Sequence, residues 1–289
     1  MKHITKIQAR VNVFARKKTS NIFDGSYKSI YTGNGLDFEN LREYIPGDNV
    51  RDIDWKASAR SKNLLVKRYI AEKRHNIMIV MDTGNRFLAH TGAGELKKEL
   101  ALNVCGTVAY LTSQNGDSVG AIYNRGGMIQ FHPLRAGLSN VERILTEYDK
   151  EDFTGYDGDL LKSVNYILRN IPRKMIVFII SDAKGIHNLD ENTLKKLSGC
   201  HDVLTITIGD AMITGHPSFD VSTKHYIADF ITGNKKLAQL EQNLHRQITE
   251  DNQKKLIRHR IVNTRIDSEE EMTDKMLELL ERHKYANNR

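Results

Sequence analysis

The chain has few cysteine, proline and tryptophan residues, and the shortage of cysteine limits the kinds of site and fold it can form. Of its 289 residues, two are cysteine (Cys105 and Cys200), four are proline and one is tryptophan. Two cysteines far apart in sequence argue against a disulfide framework or a zinc site and favour a reducing compartment. Residues 1–18 lack the apolar stretch of a signal peptide. The longest apolar run, residues 175–180, is far shorter than a membrane helix of roughly 18–20 residues. The sequence therefore predicts a cytosolic protein without a transmembrane segment.

Motifs of the common enzyme classes are also missing. There is no GxxxxGK[ST] phosphate loop, no G-x-S-x-G nucleophile elbow and no HExxH zinc helix. The Gly92-Ala93-Gly94 stretch lacks the further spaced glycine of a dinucleotide fingerprint. Nothing in the sequence argues for an enzyme.

The charge balance is positive but dispersed. The net charge of +7 and the basic N-terminal helix through Arg16, Lys17 and Lys18 would suit a nucleic acid or an anionic membrane surface. Basic residues are, however, interspersed with acidic ones and form no long block. Binding to such a surface is therefore the alternative hypothesis, and no nucleic-acid partner is expected under the main one.

Apolar segments and helical patterns alternate through the middle of the chain. Three segments have the continuous apolar character of strands buried on both faces of a parallel sheet, and amphipathic helices are predicted between and after them. The strands are residues 77–81, 175–180 and 203–208; the helices are 95–114, 138–148, 159–170 and 192–197, with a hairpin at 118–132. This alternation predicts an α/β fold with a mostly parallel sheet flanked by helices.

The two ends of the chain differ from this central pattern. Residues 1–74 are predicted to form an N-terminal segment with a helix and β-rich elements, followed by an α/β domain at 75–232. Residues 233–289 are predicted to be a helical extension that packs on that domain, with a linker near 262–267. Two apolar stripes in this extension are expected to pack on that domain. One is Leu237, Leu240, Leu244 and Ile248, and the other is Met272, Met276, Leu279 and Leu280.

Acidic residues follow the predicted strands. Asp82, Asp182 and Asp210 come at strand ends, and Asp157 and Asp159 precede a helix. Ligands of open α/β sheets bind at the carboxyl ends of the strands, and Mg²⁺ prefers oxygen donors. The same aspartates could instead cap the helices that follow them.

Residues 41–60, here called the PGD segment, combine a turn, the only tryptophan and many charges. Pro46-Gly47 indicates a tight turn, and the alternation after it, from Val50 to Trp55, predicts a strand. Charges on both faces of a strand must be paired when buried, so the segment is either an internal structural lock or a recognition surface. Its candidate interaction residues are Arg42, Tyr44, Asp48, Arg51, Asp54, Trp55 and Arg60. A polar loop at residues 26–35, with Tyr27, Lys28, Tyr31 and Asn34, is either a second adaptable surface or simply solvated.

These segments carry a resemblance to a known family over nearly the whole length. The stretches that match are residues 26–29, 33–38, the REYIPGDNVRDIDWKASAR run at 42–60, the strand ending at Asp82, and residues 116–120, 176–185 and 228–233. The chain thereby resembles the bacterial domain-of-unknown-function family number fifty-eight. The resemblance implies a von Willebrand factor A-like domain with the PGD segment in an N-terminal elaboration. It also implies a cytosolic, non-enzymatic adaptor or chaperone-like role beside a MoxR-type AAA+ ATPase and its client protein.

The resemblance further implies a metal-ion-dependent adhesion site, from which this sequence departs. The family's D-x-S-x-S motif is Asp82-Thr83-Gly84-Asn85-Arg86 here, so both serine ligands are replaced, and Gly158 stands where a threonine is usual. Arg86 could pair with Asp82 and Asp182 and supply the charge of the missing cation. We therefore expect a degenerate site, with Mg²⁺ as the ion that Asp82, Asp182, Asp157 and Asp159 would hold if any binds.

Overall fold

The computed structural model describes residues 2–17, 37–61, 63–70, 75–214, 219–220 and 225–287. The chain divides into two compact units, one formed by Met1–Ile30 with His75–Arg289 and the other by Tyr31–Arg74. The predicted boundary at 74/75 coincides with a unit boundary, whereas the N-terminal helix α1 (Lys2–Lys17) belongs to the larger unit. The polar loop predicted at residues 26–35 lies outside the described residues.

The smaller unit consists of two antiparallel strands whose connection contains short helical segments. Strand β1 (Asp37–Glu43) pairs with β2 (Leu65–Ile70), and between them lie a 3₁₀ turn (Val50–Asp52) and helix α2 (Trp55–Ser61). The strand predicted over residues 50–55 is therefore wrong. Asn49 caps the 3₁₀ turn, and the Asp54 carboxylate accepts hydrogen bonds from the amides of Lys56 and Ala57. These two capping side chains favour helical turns over an extended backbone.

The larger unit is built around a six-stranded sheet. Its first five strands are β3 (Asn76–Met81), β4 (Ser118–Arg125), β5 (Met128–Arg135), β6 (Ile176–Asp182) and β7 (Asp202–Ile208). After a short separate pair, β8 (Phe219–Asp220) with β9 (His225–Tyr226), the sixth strand is β10 (Val262–Ile266). The spatial order is β10-β7-β6-β3-β4-β5, and every neighbouring pair is parallel except the β4–β5 hairpin. The predicted α/β fold with a mostly parallel sheet is confirmed.

Helices cover both faces of this sheet. One face carries α1 with α3 (Lys97–Gln114) and α4 (Leu138–Lys150), joined by the C-terminal α10 (Met272–Asn287). The other carries α5 (Leu160–Asn170), α6 (Ala183–His187), α7 (Glu191–Cys200) and, after the short α8 (Asp229–Thr232), helix α9 (Lys235–Arg258). Alternate residues of a strand face opposite sides, so Met78 and Val80 join the second layer while Ile77 and Ile79 face the first.

The structure corrects the linker predicted near residues 262–267. Val262–Ile266 is a strand, β10, paired in parallel with β7 at the edge of the sheet. The polar residues of β10 do not give the apolar pattern of a buried strand. They nevertheless help to join β10 to β7, since the Asn263 side-chain oxygen accepts hydrogen bonds from the hydroxyls of Thr205 and Thr207, both at 2.9 Å.

The first apolar stripe of the C-terminal extension is also placed differently from the prediction. Leu240 and Leu244 are 64% and 57% exposed, and Leu237 is exposed as well. Helix α9 has 24 residues, so it is about 36 Å long. Its C-terminal half meets the core through buried Leu256 and through Asn252, which donates to the Ala183 carbonyl. The expected packing therefore fails for the stripe of Leu237, Leu240 and Leu244, whereas the second stripe, Met272, Met276, Leu279 and Leu280, is buried.

Candidate functional site

Asp82 and Asp182 lie at the centre of the sheet's carboxyl edge. Asp82 directly follows β3, and Asp182 is the last residue of the neighbouring strand β6. From β3 the chain continues to β4 on one side of the pair, and from β6 it continues to β7 on the other side. Open α/β sheets form their ligand crevice between two strands of this kind, where the strand order reverses. Both carboxylates are buried, at 2% and 1% exposure.

Arg86 joins the two carboxylates. It sits in a 3₁₀ turn (Asn85–Leu88) just beyond β3, and its side chain is 17% exposed. One guanidinium nitrogen donates to Asp182 at 2.5 Å and the other to Asp82 at 2.9 Å. Because the guanidinium fork is planar and fixed, it holds both carboxylates in one orientation.

A second cation, Lys97, lies on the other side of Asp182. Lys97 is the first residue of α3 and is 1% exposed. Its ammonium donates to Asp182 at 2.8 Å and also contacts the Asp210 carboxylate beyond β7. We call this set of five residues the edge ion network: Asp82, Asp182, Asp210, Arg86 and Lys97.

Each oxygen of the two central carboxylates already accepts a hydrogen bond. For Asp82, Oδ1 accepts from the Thr83 amide, and Oδ2 accepts from Arg86 and from the Ser181 hydroxyl at 2.6 Å. For Asp182, Oδ1 accepts from Arg86 and the Gly185 amide, and Oδ2 accepts from Lys97. The network is therefore internally satisfied, as buried charges must be.

The surroundings shift the two carboxyl groups in opposite directions. Burial raises the pKa of Asp82; Arg86 lowers it without reversing the shift, and Asp182 raises it further. Burial would also raise the pKa of Asp182, but Lys97 and Arg86 together outweigh it, and the net pKa is lowered. The pKa of Arg86 is raised because its two aspartates outweigh its own desolvation.

These residues do not fit a divalent cation. Arg86 already bridges Asp82 and Asp182, and Lys97 bridges Asp182 and Asp210, so two positive charges, the charge of Mg²⁺, already neutralise this cluster. Within the described part of the chain, no group of three or more histidine, cysteine or acidic side chains is arranged to hold a metal ion.

The backbone around Gly84 also leaves no room for a side chain at this position, where the adhesion-site motif has a serine. Gly84 has φ of +91°, a conformation that favours glycine. A Cβ built there would collide with the Gly158 amide nitrogen and lie 2.8 Å from the Tyr156 carbonyl oxygen. A serine at position 84 would therefore require the chain around residue 157 to move.

The two other predicted metal ligands are not part of the network. The Asp159 side chain caps α5 by accepting from the Lys162 amide at 2.9 Å. Asp157 is exposed, and its backbone forms a bridge with Gly84. Lys97 is the member that the sequence reasoning missed. A signal existed, because Lys97 stands three, seven and eleven residues before Leu100, Val104 and Val108 and so continues the buried stripe of α3.

In the smaller unit, the PGD segment is held by a bidentate ion pair. The Arg42 guanidinium donates to both oxygens of Asp48, at 2.6 and 2.7 Å, and Asp48 also accepts from the Ile45 amide. These hydrogen bonds lower the pKa of Asp48. The predicted turn is present, with the Asp48 amide bonded to the Ile45 carbonyl and Gly47 at φ of +110°.

The remaining candidate interaction residues divide between support and surface. Asp54 caps α2 and lies 3.7 Å from the Lys67 ammonium, so it supports the segment. Arg51, Trp55 and Arg60 are exposed, and Tyr44 is half-buried. The pairing inside the segment is thus made by Arg42 with Asp48 and by Asp54 with Lys67, while Trp55 is 64% exposed.

Comparison with known proteins identifies the family. Residues 40–224, more than half of the chain, match the family described as "Protein of unknown function DUF58". The chain belongs to this family. The uncharacterized protein Rv1480 of Mycobacterium tuberculosis (strain H37Rv) is 27% identical to it over 197 residues, which are 68% of this chain and 62% of that protein. The chain thus matches less than two thirds of that relative's length.

Solved structures that resemble this DUF58 protein include an aerotolerance-related membrane protein from Bacteroides fragilis. That likeness covers 71% of this chain and 98% of the other, with 14% identity and a TM-score of 0.44. A von Willebrand factor type A structure from Catenulispora acidiphila matches over 77% of this chain and 45% of its own, with 9% identity and a TM-score of 0.39. The six-stranded, mostly parallel sheet with helices on both faces is the α/β class expected from the sequence. Within the described residues, no helix has the length and apolarity needed to cross a membrane.

Proposed function

We propose that this DUF58 protein is a non-enzymatic adaptor that acts with a MoxR-type AAA+ ATPase on a client protein. In this proposal the PGD segment provides the contact surface for the ATPase. The supporting observation is the exposure of Trp55 on a segment whose backbone is fixed by side-chain hydrogen bonds.

The surface around Trp55 has the composition of a binding surface. Ile45 and Val50 of the same segment are 60% and 59% exposed, and Arg51 and Arg60 are exposed as well. Tryptophan and arginine are enriched among the few residues that dominate protein–protein binding energy. A preformed support reduces the entropy lost on binding, so the Arg42–Asp48 pair would assist binding without touching the partner.

The edge ion network supports an adaptor without a metal-dependent or catalytic role. We propose that the family's adhesion site is degenerate here and that Arg86 and Lys97 replace the cation. A general acid or base needs a carboxylate free to exchange a proton with substrate. Both central aspartates are instead buried and engaged with cations and amides.

The test is an affinity measurement with the MoxR-type ATPase encoded in the same genome. Biolayer interferometry would compare wild type with Trp55→Ala in ATP, in ADP and without nucleotide. If Trp55 is a central contact worth about 2 kcal/mol, its removal weakens binding roughly 30-fold. Stability should change by no more than about 0.5 kcal/mol, because the side chain is exposed.

Matched variants separate contact from support. Met128→Ala removes a side chain that is 63% exposed in the larger unit, and it should bind as wild type does. Arg60→Ala should weaken binding while the fold is kept. Arg42→Ala should weaken binding and also speed amide exchange across residues 44–54, because the bidentate pair is lost. An ATPase that fails to bind in every nucleotide state, or binds Trp55→Ala normally, would refute the proposal.

A further inference from the structure

A cleft lies at the amino edge of the sheet, opposite the edge ion network. Its volume is about 1030 Å³, the upper end of the range for small-molecule sites. The walls are formed by residues that precede β6, β7 and β10 and by the C-terminal ends of α7 and α9. None of these residues takes part in the site described above.

The cleft is basic. Its lining includes Lys174, Lys195, Arg258 and Arg260 against one acidic residue, Asp202. Two of the charges nearby are already balanced: Arg258 pairs with Glu191 at 2.6 Å, and Asp202 lies 3.0 Å from the ring of His283. Within the described residues, no carboxylate pairs with Lys174, Lys195 or Arg260, and all three are exposed.

His201, on the cleft wall, has unused hydrogen-bonding capacity. The residue is 3% exposed, and its Nδ1 is buried with no hydrogen-bond partner among the described residues. Buried polar atoms are nearly always satisfied, so an exception calls for an explanation such as a ligand. Burial also lowers the pKa of His201, which favours the neutral ring in the absence of a bound anion.

Arg260 occupies an unfavourable backbone position. It follows the end of α9 with φ of +57°, where helices usually place glycine or asparagine. Strained backbone that persists in a fold is a reason to look for a function of the side chain there. At this position the strain places a guanidinium at the cleft.

Helix dipoles explain only part of this charge. The C-terminal ends of α7 and α9 carry partial negative charge. Arg258 lies in the last turn of α9 and would offset the charge there, whereas α7 has no basic residue in its last turn. That effect accounts neither for Lys174, which is outside both helices, nor for the unsatisfied His201 ring. It also does not require an arginine in the strained position 260.

We propose that this cleft binds the phosphate group of a small phosphorylated molecule. Lys174, Lys195 and Arg260 supply the charge, and the His201 ring forms part of the wall beside them. Phosphate oxygens are the acceptors that lysine and arginine recognise most effectively. The site would give the adaptor a small-molecule ligand independent of its ATPase surface.

The test is calorimetric titration of the full chain with ADP, pyrophosphate and inorganic phosphate at constant ionic strength. The expected result is saturable binding that Lys195→Gln and Arg260→Gly each weaken roughly tenfold, the usual effect of losing one charged hydrogen bond. Lys196→Gln is the matched control, since this exposed neighbour does not line the cleft, and it should bind as wild type does. Arg260→Gly should remain at least as stable thermally as wild type, because glycine suits the backbone there.

The ligands also distinguish the sources of the phosphate group. Tighter binding of ADP than of phosphate would support a nucleotide, and equal binding would support recognition of the phosphate alone. In either case the ¹⁵N resonances of His201 should shift saturably with the ligand. Heat that matches a chloride titration, or affinity unchanged in both cleft variants, would overturn the proposal. So would binding of a DNA duplex without binding of ADP or phosphate, which would indicate a nucleic-acid surface.

Discussion

At the scale of single residues, the two central aspartates of the edge ion network contribute to stability with opposite signs. The pKa of Asp182 is lowered in the folded protein, so its ionised form stabilises the fold. The pKa of Asp82 is raised, so its ionisation costs stability even though Arg86 offsets part of that cost. Lys97, at 1% exposure, pairs with both Asp182 and the partly exposed Asp210.

Neutralising these aspartates should therefore have unequal effects. We expect Asp182→Asn to lower the free energy of unfolding by roughly 3–5 kcal/mol near neutral pH, because two cations then lose a buried counter-charge. Asp82→Asn should cost less, about 1–2 kcal/mol, since it removes a carboxylate that burial disfavours, although its NH₂ group then faces a donor where the carboxylate accepted a hydrogen bond. Urea denaturation of both variants measures the difference; equal losses would contradict the assigned signs.

The pH dependence of stability follows from the same shifts. The Asp182 contribution is present above the unfolded pKa of about 3.9 and is lost as pH falls below it through the lowered folded pKa. For Asp82 the folded state holds its proton longer, so stability is lost as pH rises from about 4 through the raised pKa. Asp82→Asn should therefore gain stability relative to wild type as pH rises through that window. Parallel curves for the two proteins would show that Asp82 does not titrate as described.

Sequence reasoning reached part of this site. The strand-end positions of Asp82 and Asp182 and the substitution of Arg86 for a serine ligand were visible in the pattern, because each follows from chain position alone. The role of Lys97 depends on where α3 begins relative to β6, which is tertiary information. The role of Asp159 as a helix cap depends on where α5 starts, and sequence left both alternatives open.

At the scale of elements, helix α9 divides into a half that supports the core and a half that does not. Leu256 is 1% exposed, whereas Leu240 and Leu244 in the same helix are more than half exposed. We expect Leu256→Ala to lower the free energy of unfolding by about 2–5 kcal/mol. Leu240→Gln and Leu244→Gln should change it by no more than about 0.5 kcal/mol, because little apolar area leaves water at these positions. A large loss in either glutamine variant would mean that the stripe packs in solution.

The elements show where periodicity succeeds and fails. Strands β3, β6 and β7 were predicted because they are buried on both faces and so have continuous apolar character. Strand β10 was not predicted because it lies at the edge of the sheet and contains polar residues. Its Asn263 accepts a hydrogen bond from the Thr205 hydroxyl of the neighbouring strand β7. The PGD segment alternates by charge, but the capping of Asn49 and Asp54 determines its local structure.

At the scale of the whole molecule, the adaptor proposal requires a protein whose fold is complete without a metal ion. Mg²⁺ or Mn²⁺ at millimolar concentration should leave the melting temperature of the wild type unchanged, because Arg86 and Lys97 already balance the aspartates. Asp82→Ala serves as the control that removes one candidate ligand. A rise in melting temperature seen in the wild type and lost in this variant would contradict the replacement of the cation.

The most direct test of the adaptor account locates the ATPase on the surface of the protein. p-Benzoylphenylalanine would be placed at position 55 and, as a control, at position 128, which is equally exposed in the wild type at 63% against 64%. Irradiation with the MoxR-type ATPase should give a crosslinked product from position 55 and none from position 128. A product from position 128 alone, or none from position 55 under conditions in which the two proteins bind, would contradict the assignment of the PGD segment as the contact surface.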